Sequence, residues 1–277
     1  MWWINGREDH GISVGSRGLA YGDGLFETMR CLAGEIPLLE RHIARLHRGA
    51  GILGLNIHQD VLDAQLKQVM RWLSSQTITD AAVKLMVVRR GEANGYTVGA
   101  QREVDCLLRA TPVSCPNSGE KLSAHLCTAQ LSTNPLLAGI KHLNRLDQVL
   151  ASQQLSGEDE GILFDSEAHV AEGITNNLFV VKGSDIITPF LRHCGVWGVM
   201  REYLLSEGAT HTRYTFAAQD ISIEALLSAD EILLTNALRG VRNLSRIDDR
   251  WQSGGSAVGD SLRAMLRTQL HPDFISY

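Results

Sequence analysis

No block of basic residues occurs anywhere in the 277-residue chain, whose 26 lysines and arginines are outnumbered by 31 acidic residues, for a net charge of −5. That balance argues against a nucleic-acid surface or a polybasic membrane contact. No run approaches the roughly 20 apolar residues of a bilayer-spanning helix. The opening Met1-Trp2-Trp3-Ile4-Asn5-Gly6-Arg7 lacks the basic start and apolar stretch of a secretion signal, so a cytoplasmic protein without a membrane partner is expected. The five cysteines, Cys31, Cys106, Cys115, Cys127 and Cys194, are scattered and form no CxxC pair. They indicate neither a disulfide frame nor a zinc site and read as reduced packing residues. GxxxxGK[ST], HExxH and GxSxG are missing, as are internal repeats and low-complexity tracts. His42 and His47 stand five apart on one expected helix and do not share a face, so no metal is expected. Gly49-Ala50-Gly51-Ile52-Leu53-Gly54 satisfies GxGxxG formally, but it follows a helix rather than a strand and reads as a glycine-marked helix end.

What is present is ordinary globular material: 44% hydrophobic and 21% charged residues, in a chain long enough to build a core without disulfides or metals. Asn5-Gly6 predicts a tight hairpin turn. Leu39, Ile43, Leu46, Ala50 and Leu53 recur at helical spacing, so a helix is expected over about Pro37–Leu53, with Pro37 in its first turn. Leu62, Leu66, Val69 and Leu73 mark a second. Strands are expected at 82–89, 104–111, 122–130, 161–165, 178–182, 185–188 and 231–234, with helices at about 143–155, 199–206 and 256–270. Cys115-Pro116-Asn117-Ser118-Gly119-Glu120 is the best linker candidate. The expectation is an α/β (α+β) chain of two domains: residues 1–115, a linker at 116–120, and a larger domain at 121–277. A cleft between two such domains favours a small-molecule site.

Four segments carry chemistry. The apolar run Leu136-Leu137-Ala138, with Ile140, delivers Lys141 just before a helix, and a desolvated lysine becomes a usable amine near neutral pH. Glu172 sits among short residues before an apolar strand, where a carboxylate could pair with a protonated ring nitrogen. Gly195-Val196-Trp197-Gly198-Val199-Met200 reads as a glycine loop running into a helix, whose free N–H groups and dipole suit a phosphate. Arg45 lies beside the apolar stripe of its helix and can offer bidentate donors to phosphate or snorkel to water.

Together with Ile4-Asn5-Gly6, Ser16 to Thr28, His42-x-x-Arg45-Leu46, Gly139-Ile140-Lys141, Glu172-Gly173, Asn177-Leu178-Phe179, Ala229-Asp230-Glu231 and Thr235-Asn236-Ala237, these segments resemble fold-type IV pyridoxal-phosphate enzymes nearly end to end. That class contains branched-chain aminotransferase, D-amino-acid aminotransferase and aminodeoxychorismate lyase. The resemblance implies a homodimer with pyridoxal 5'-phosphate bound in an active site between two domains. It makes Lys141 the Schiff-base lysine and Glu172 the partner of the pyridine nitrogen. Arg45 and the backbone at Val199 and Met200 would hold the phosphate, with Asn176, Asn236 and Ala237 nearby.

Gly139-Ile140-Lys141-His142-Leu143-Asn144-Arg145-Leu146-Asp147-Gln148-Val149-Leu150 is most similar to the lyase branch, and no Gly-Asn-Tyr of the branched-chain aminotransferases follows the lysine. The implied reaction takes 4-amino-4-deoxychorismate to 4-aminobenzoate and pyruvate, in folate biosynthesis, with Thr28 as proton relay at the leaving group. A transaminase acting on D-amino acids or other amines is the alternative. The chain departs from lyases in two loops. Asn94 stands where lyases commonly carry a second arginine, and Arg239-Gly240-Val241 replaces a common Met-Pro-Val. Substrate carboxylates are therefore expected to meet other groups, with Arg145, Arg239 and Asn94 as the candidates.

Overall fold

The computed structural model describes residues 1–9, 11–92, 94–113 and 122–272. Cys115 and the linker expected at 116–120 lie outside the described residues. The chain divides into two compact units, one of Met1–Ser114 with Ile140–Asn144, the other of Cys115–Gly139 with Arg145–Tyr277.

The first unit contains β1 (Trp2–Ile4), β2 (Arg7–Glu8), α1 (Arg17–Tyr21), β3 (Gly24–Leu32), α2 (Leu39–Leu53), α3 (Gln59–Ser75), β4 (Asp80–Arg89) and β5 (Val104–Pro112). Its antiparallel sheet has the order β2-β1-β5-β4-β3. Asn5 (φ 50°) and Gly6 (φ 77°) make the expected β1–β2 turn. In β4, Ala81, Val83, Leu85 and Val87 are all buried, the period of two that a half-covered sheet demands. Leu46 and Ala50 of α2 and Leu62, Leu66, Val69 and Leu73 of α3 are buried too. Helix α2 begins at Leu39 rather than Pro37, because Leu38 takes a left-handed conformation (φ 61°) and Pro37 precedes it. Gly54 caps the same helix at φ 63°, so the formal GxGxxG is a helix end.

The sequence assigns Lys141 to the second domain; the structure gives it to the first unit. The cause is a backbone pairing along β3. The Phe26 N–H donates to the Lys141 carbonyl (2.9 Å), Leu143 N–H donates to the Gly24 carbonyl (3.0 Å), and Leu25 bridges His142.

The second unit contains β6 (Leu122–Gln130), α4 (Leu146–Ser152), β7 (Glu160–Phe164), β8 (Val170–Gly173), β9 (Asn177–Lys182), β10 (Asp185–Pro189), α5 (Val199–His211), β11 (Thr215–Gln219), α6 (Ile223–Leu227), β12 (Glu231–Asn236), β13 (Gly240–Ile247), β14 (Trp251–Gln252) and α7 (Ala257–Gln269). Its mixed sheet runs β11-β10-β9-β12-β13-β6-β7-β8, with β14 on β13. Leu122, Ile162, Leu178, Ile232, Leu234 and Leu244 form one apolar core cluster. Cys127, Leu131, Leu163, Ala171, Leu191 and Cys194 form another. The four described cysteines are free and buried. Burial raises the Cys106 and Cys194 thiols to about 12, which leaves them inert packing groups. Among the described residues no helix is long and apolar enough to cross a membrane.

Candidate active site

Strand β3 separates two sets of side chains by its pleat. Leu25, Glu27 and Met29 are buried on one side, whereas Phe26 and Thr28 are half-buried on the other. The Lys141 ammonium lies 4.4 Å from the centroid of the Phe26 ring, so the lysine sits on the Thr28 face of the strand. Thr28 is the next residue along that face, two positions on from Phe26.

On the opposite side, Glu27 is 1% exposed and is held by α2. His42 Nδ1 lies 2.6 Å from its Oε2, and Arg45 donates from Nε (2.8 Å) and Nη2 (2.5 Å). Histidine and arginine three apart meet one carboxylate because residues at that spacing share a helix face. Arg45 is thus buried and paired with Glu27; it does not snorkel. Burial would raise the Glu27 carboxyl, but the Arg45 charge and the hydrogen bonds from Arg45 and His42 outweigh it and hold the value at about 2. Burial pushes His42 below its ordinary value.

A depressed carboxyl contributes stability above its unfolded value, and that contribution is lost as pH falls through the folded value. For Glu27 the window is about pH 4.5 down to about 2. The size is on the order of 3 kcal/mol. His42 acts in the same direction, because the unfolded imidazole takes up a proton more readily. Denaturant titrations from pH 7 to pH 3 should therefore show stability declining with acid, and Glu27→Gln should flatten that limb. An equally steep limb in the variant would place the acid sensitivity elsewhere.

The second unit assembles a different set. Glu172, on β8, is 4% exposed, and its Oε2 accepts from Val196 N–H (2.9 Å) and Asn177 Nδ2 (3.3 Å). Asn177 also donates to the Val196 carbonyl (2.9 Å). Its Oδ1 lies where a Cβ on Gly198 would come within 2.0 Å, so a side chain at that position would displace Asn177. Gly198 is the N-cap of α5, and Val199 and Met200 open the helix, both buried. First-turn N–H groups have no acceptor within their own helix and point a partial positive charge outward. One asparagine thus ties the carboxylate to the loop that opens α5.

Gly139 joins the same set. Its N–H donates to the Gly195 carbonyl (3.0 Å), and Trp197 N–H donates to its own carbonyl (3.2 Å). Its φ is +81°, and a Cβ there would meet the Trp197 ring at 2.5 Å. Glycine is therefore needed twice over, and Lys141 follows two residues along the chain.

A further chain of hydrogen bonds supports the turn between β12 and β13. Glu160, 2% exposed, accepts from Asn176 Nδ2 and from Thr175 Oγ1 (2.9 Å). Asn176 Oδ1 accepts from Asn236 Nδ2 (2.7 Å), and Asn236 Oδ1 accepts from the N–H groups of Leu238 (3.0 Å) and Arg239 (2.8 Å). Asn236, Ala237 and Arg239 are set by that chain.

The structure thus brings Lys141, Thr28 and Arg45 to β3 and its neighbours in the first unit. Glu172, Asn176, Val199, Met200, Asn236, Ala237 and Arg239 lie at strand ends and a helix start in the second. Arg145 is the half-buried N-cap residue of α4. Asn94 is exposed, in a loop pinned one residue later, where Arg17 donates to the carbonyls of Gly95 (3.0 Å) and Tyr96 (3.4 Å). The partnerships of Glu27 with His42, Asn177 with Glu172, and Glu160 with Asn176 escaped the sequence reading. Lys84 also escaped it, at 5.2 Å from the Phe26 ring centroid.

A lysine on an aromatic face, a buried carboxylate held by neutral N–H donors and a glycine-capped helix start match the needs of an aldehyde, a protonated ring nitrogen and a phosphate. The residues present fit pyridoxal phosphate. Residues 24–247 match the family described as Amino-transferase class IV, and the chain belongs to that family. Its architecture is that of the fold-type IV enzymes. An aminodeoxychorismate lyase from Vibrio harveyi is 32% identical over 260 residues, covering 89% of this chain and 91% of that one. The crystal structure of 4-amino-4-deoxychorismate lyase from Pseudomonas aeruginosa is similar with a TM-score of 0.88 and 35% identity, covering 98% of this chain and 100% of that one. A branched-chain aminotransferase from Thermoproteus uzoniensis shares the fold, at a TM-score of 0.85 and 22% identity over 96% of this chain and 93% of that one.

Proposed function

We propose that this protein is a pyridoxal-phosphate lyase that converts 4-amino-4-deoxychorismate to 4-aminobenzoate and pyruvate. The observation that carries the reading is the placement of a primary amine and a hydroxyl on one face of β3. Lys141 lies against the Phe26 ring, and Thr28 is the next residue on that face. The elimination needs those two groups, a base at C4 and a proton donor at the ether oxygen on C3. The similarity to two proteins named as this lyase, over nine-tenths or more of each, supports the assignment.

When bound, the cofactor supplies a protonated ring that accepts the electron pair left at C4. The chain supplies the rest. Lys141 takes the C4 proton, a general-base contribution of about 10²–10⁴-fold. Thr28 donates toward the C3 oxygen as that C–O bond breaks, and the departing enolpyruvate takes up a proton to become pyruvate. Glu172 keeps the ring nitrogen protonated. Arg45 and the N–H groups of Val199 and Met200 hold the phosphate, while Asn176, Asn236 and Ala237 shape the wall beside it. Atoms balance without an added oxidant or keto acid, since the two products together have the composition of the substrate. The same reading makes the protein a cytoplasmic homodimer.

The test is turnover of 4-amino-4-deoxychorismate with no keto acid present. Equal amounts of 4-aminobenzoate and pyruvate are expected. Turnover that depends on an added keto acid, without 4-aminobenzoate, would assign the protein to transamination instead.

A further inference from the structure

Lysine at position 84 faces a row of residues that explains little as folding and much as recognition. It stands on β4 directly across from Thr28 of β3 and directly across from Arg109 of β5. Residues paired across a sheet project to the same face, with Cβ atoms about 4.5–5.5 Å apart. Lys84 therefore shares the face that carries Phe26, Thr28 and Lys141. Its ammonium lies 5.2 Å from the centroid of the ring that Lys141 approaches at 4.4 Å.

Like charges placed directly opposite each other on a sheet are destabilising, yet Lys84 and Arg109 are such a pair. Each is set against an aromatic ring, Lys84 over Phe26 and Arg109 over Trp2 (5.4 Å). The acids carried on that face by β4 and β5 have other partners. Asp80 accepts from Arg30 (2.7 and 3.0 Å), and Asp105 accepts from Arg90 (2.8 Å) and Asn5 (3.0 Å). A half-buried cation facing a like charge beside a reacting hydroxyl is an arrangement that an anionic substrate group would complete.

We propose that Lys84 is the residue that binds a substrate carboxylate, with Arg109 reinforcing the positive field behind it. The inference rests on the lyase reading above. The ligand chemistry is a carboxylate borne by the enol-ether group that leaves from C3, because Lys84 is the direct neighbour of Thr28, the donor to that oxygen. Contact there holds the leaving group in line and favours its departure as the enol. It also supplies a cationic contact of the kind for which lyases commonly carry the arginine that Asn94 replaces here.

Lys84→Met keeps the unbranched apolar stem against Phe26 and removes the charge. A charge-assisted hydrogen bond is worth roughly 10- to 100-fold in affinity or rate, so kcat/KM for 4-amino-4-deoxychorismate should fall by about that factor in Lys84→Met. Lys84→Arg should recover most of it. Added salt should depress kcat/KM of the wild type more than that of Lys84→Met. The visible absorbance of the loaded protein, and its rate of reaction with a simple amine that lacks a carboxylate, should be the same in all three. Equal kcat/KM in wild type and Lys84→Met would overturn the inference while leaving the lyase reading intact. A parallel loss with the carboxylate-free amine would overturn it too, by showing a role in folding or in the general reactivity of the site. A wild type without lyase turnover would instead remove the reading on which the inference rests.

Discussion

Replacing Lys141 with alanine is expected to abolish both the visible absorbance of the loaded protein and turnover of 4-amino-4-deoxychorismate. The general-base role alone is worth about 10²–10⁴-fold, and loss of the amine that carries the cofactor adds to it. The side chain is half-buried over Phe26, and the backbone that places it is tied to β3 through the Phe26 N–H and the Gly24 carbonyl. Those bonds use main-chain atoms, so the variant should keep its fold. A folded Lys141→Ala protein that retains full turnover would refute the assignment.

Glu172→Gln is expected to give the second largest loss. The glutamine carbonyl can still accept from Val196 N–H and Asn177, so the change isolates the charge from the packing. Removing one partner of a buried ion pair costs about 3–5 kcal/mol, and the expected drop in kcat is about 10²- to 10⁴-fold. The spectrum of the bound cofactor should shift as its ring nitrogen loses the proton, and Glu172→Asp should restore part of both. A Gln variant with wild-type kcat and an unchanged spectrum would mean that Glu172 serves the α5 loop and not the cofactor.

Much of the scaffold was legible because its burial is periodic. Helix α3 buries the stripe that spacing predicted, β6 occupies the expected Leu122–Gln130, and Asn5-Gly6 makes its turn, whereas α2 buries only Leu46 and Ala50 of its expected stripe, beside His42, Arg45 and Gly49. Periodicity failed where charges go inside. Strand β3 carries Glu27 and Arg30, both buried, and each is compensated by residues far along the chain, His42 and Arg45 for one and Asp80 for the other. Strand β13 is interrupted by Arg242 and Arg246, and β8 is four residues long, too short for alternation to register. Helix α4 is shorter than the expected 143–155 because Leu143 is still bonded to Gly24 beside β3.

The candidate site divides along the same line. Lys141, Glu172, Arg45 and the start of α5 were visible because a motif names each one. Arg45 carried two readings, donor to phosphate and snorkelling side chain, and burial against Glu27 removes the second. Lys84 was invisible, since a lysine alternating with apolar residues in a strand reads as a solvated face. Its meaning depends on register, which places Thr28 on one side of it and Arg109 on the other. Asn177 was hidden for a related reason. Its work is done by a side chain that spans from Glu172 to the carbonyl of Val196, nineteen residues away.

Borohydride reduction of the cofactor-loaded protein, followed by peptide mapping, tests the central assignment most directly. Reduction would fix the cofactor covalently to the amine that carries it. The expected result is one modified peptide, with the cofactor on Lys141 and Lys84 unmodified. A modified Lys84, or no modified peptide from a protein that turns over its substrate, would contradict it.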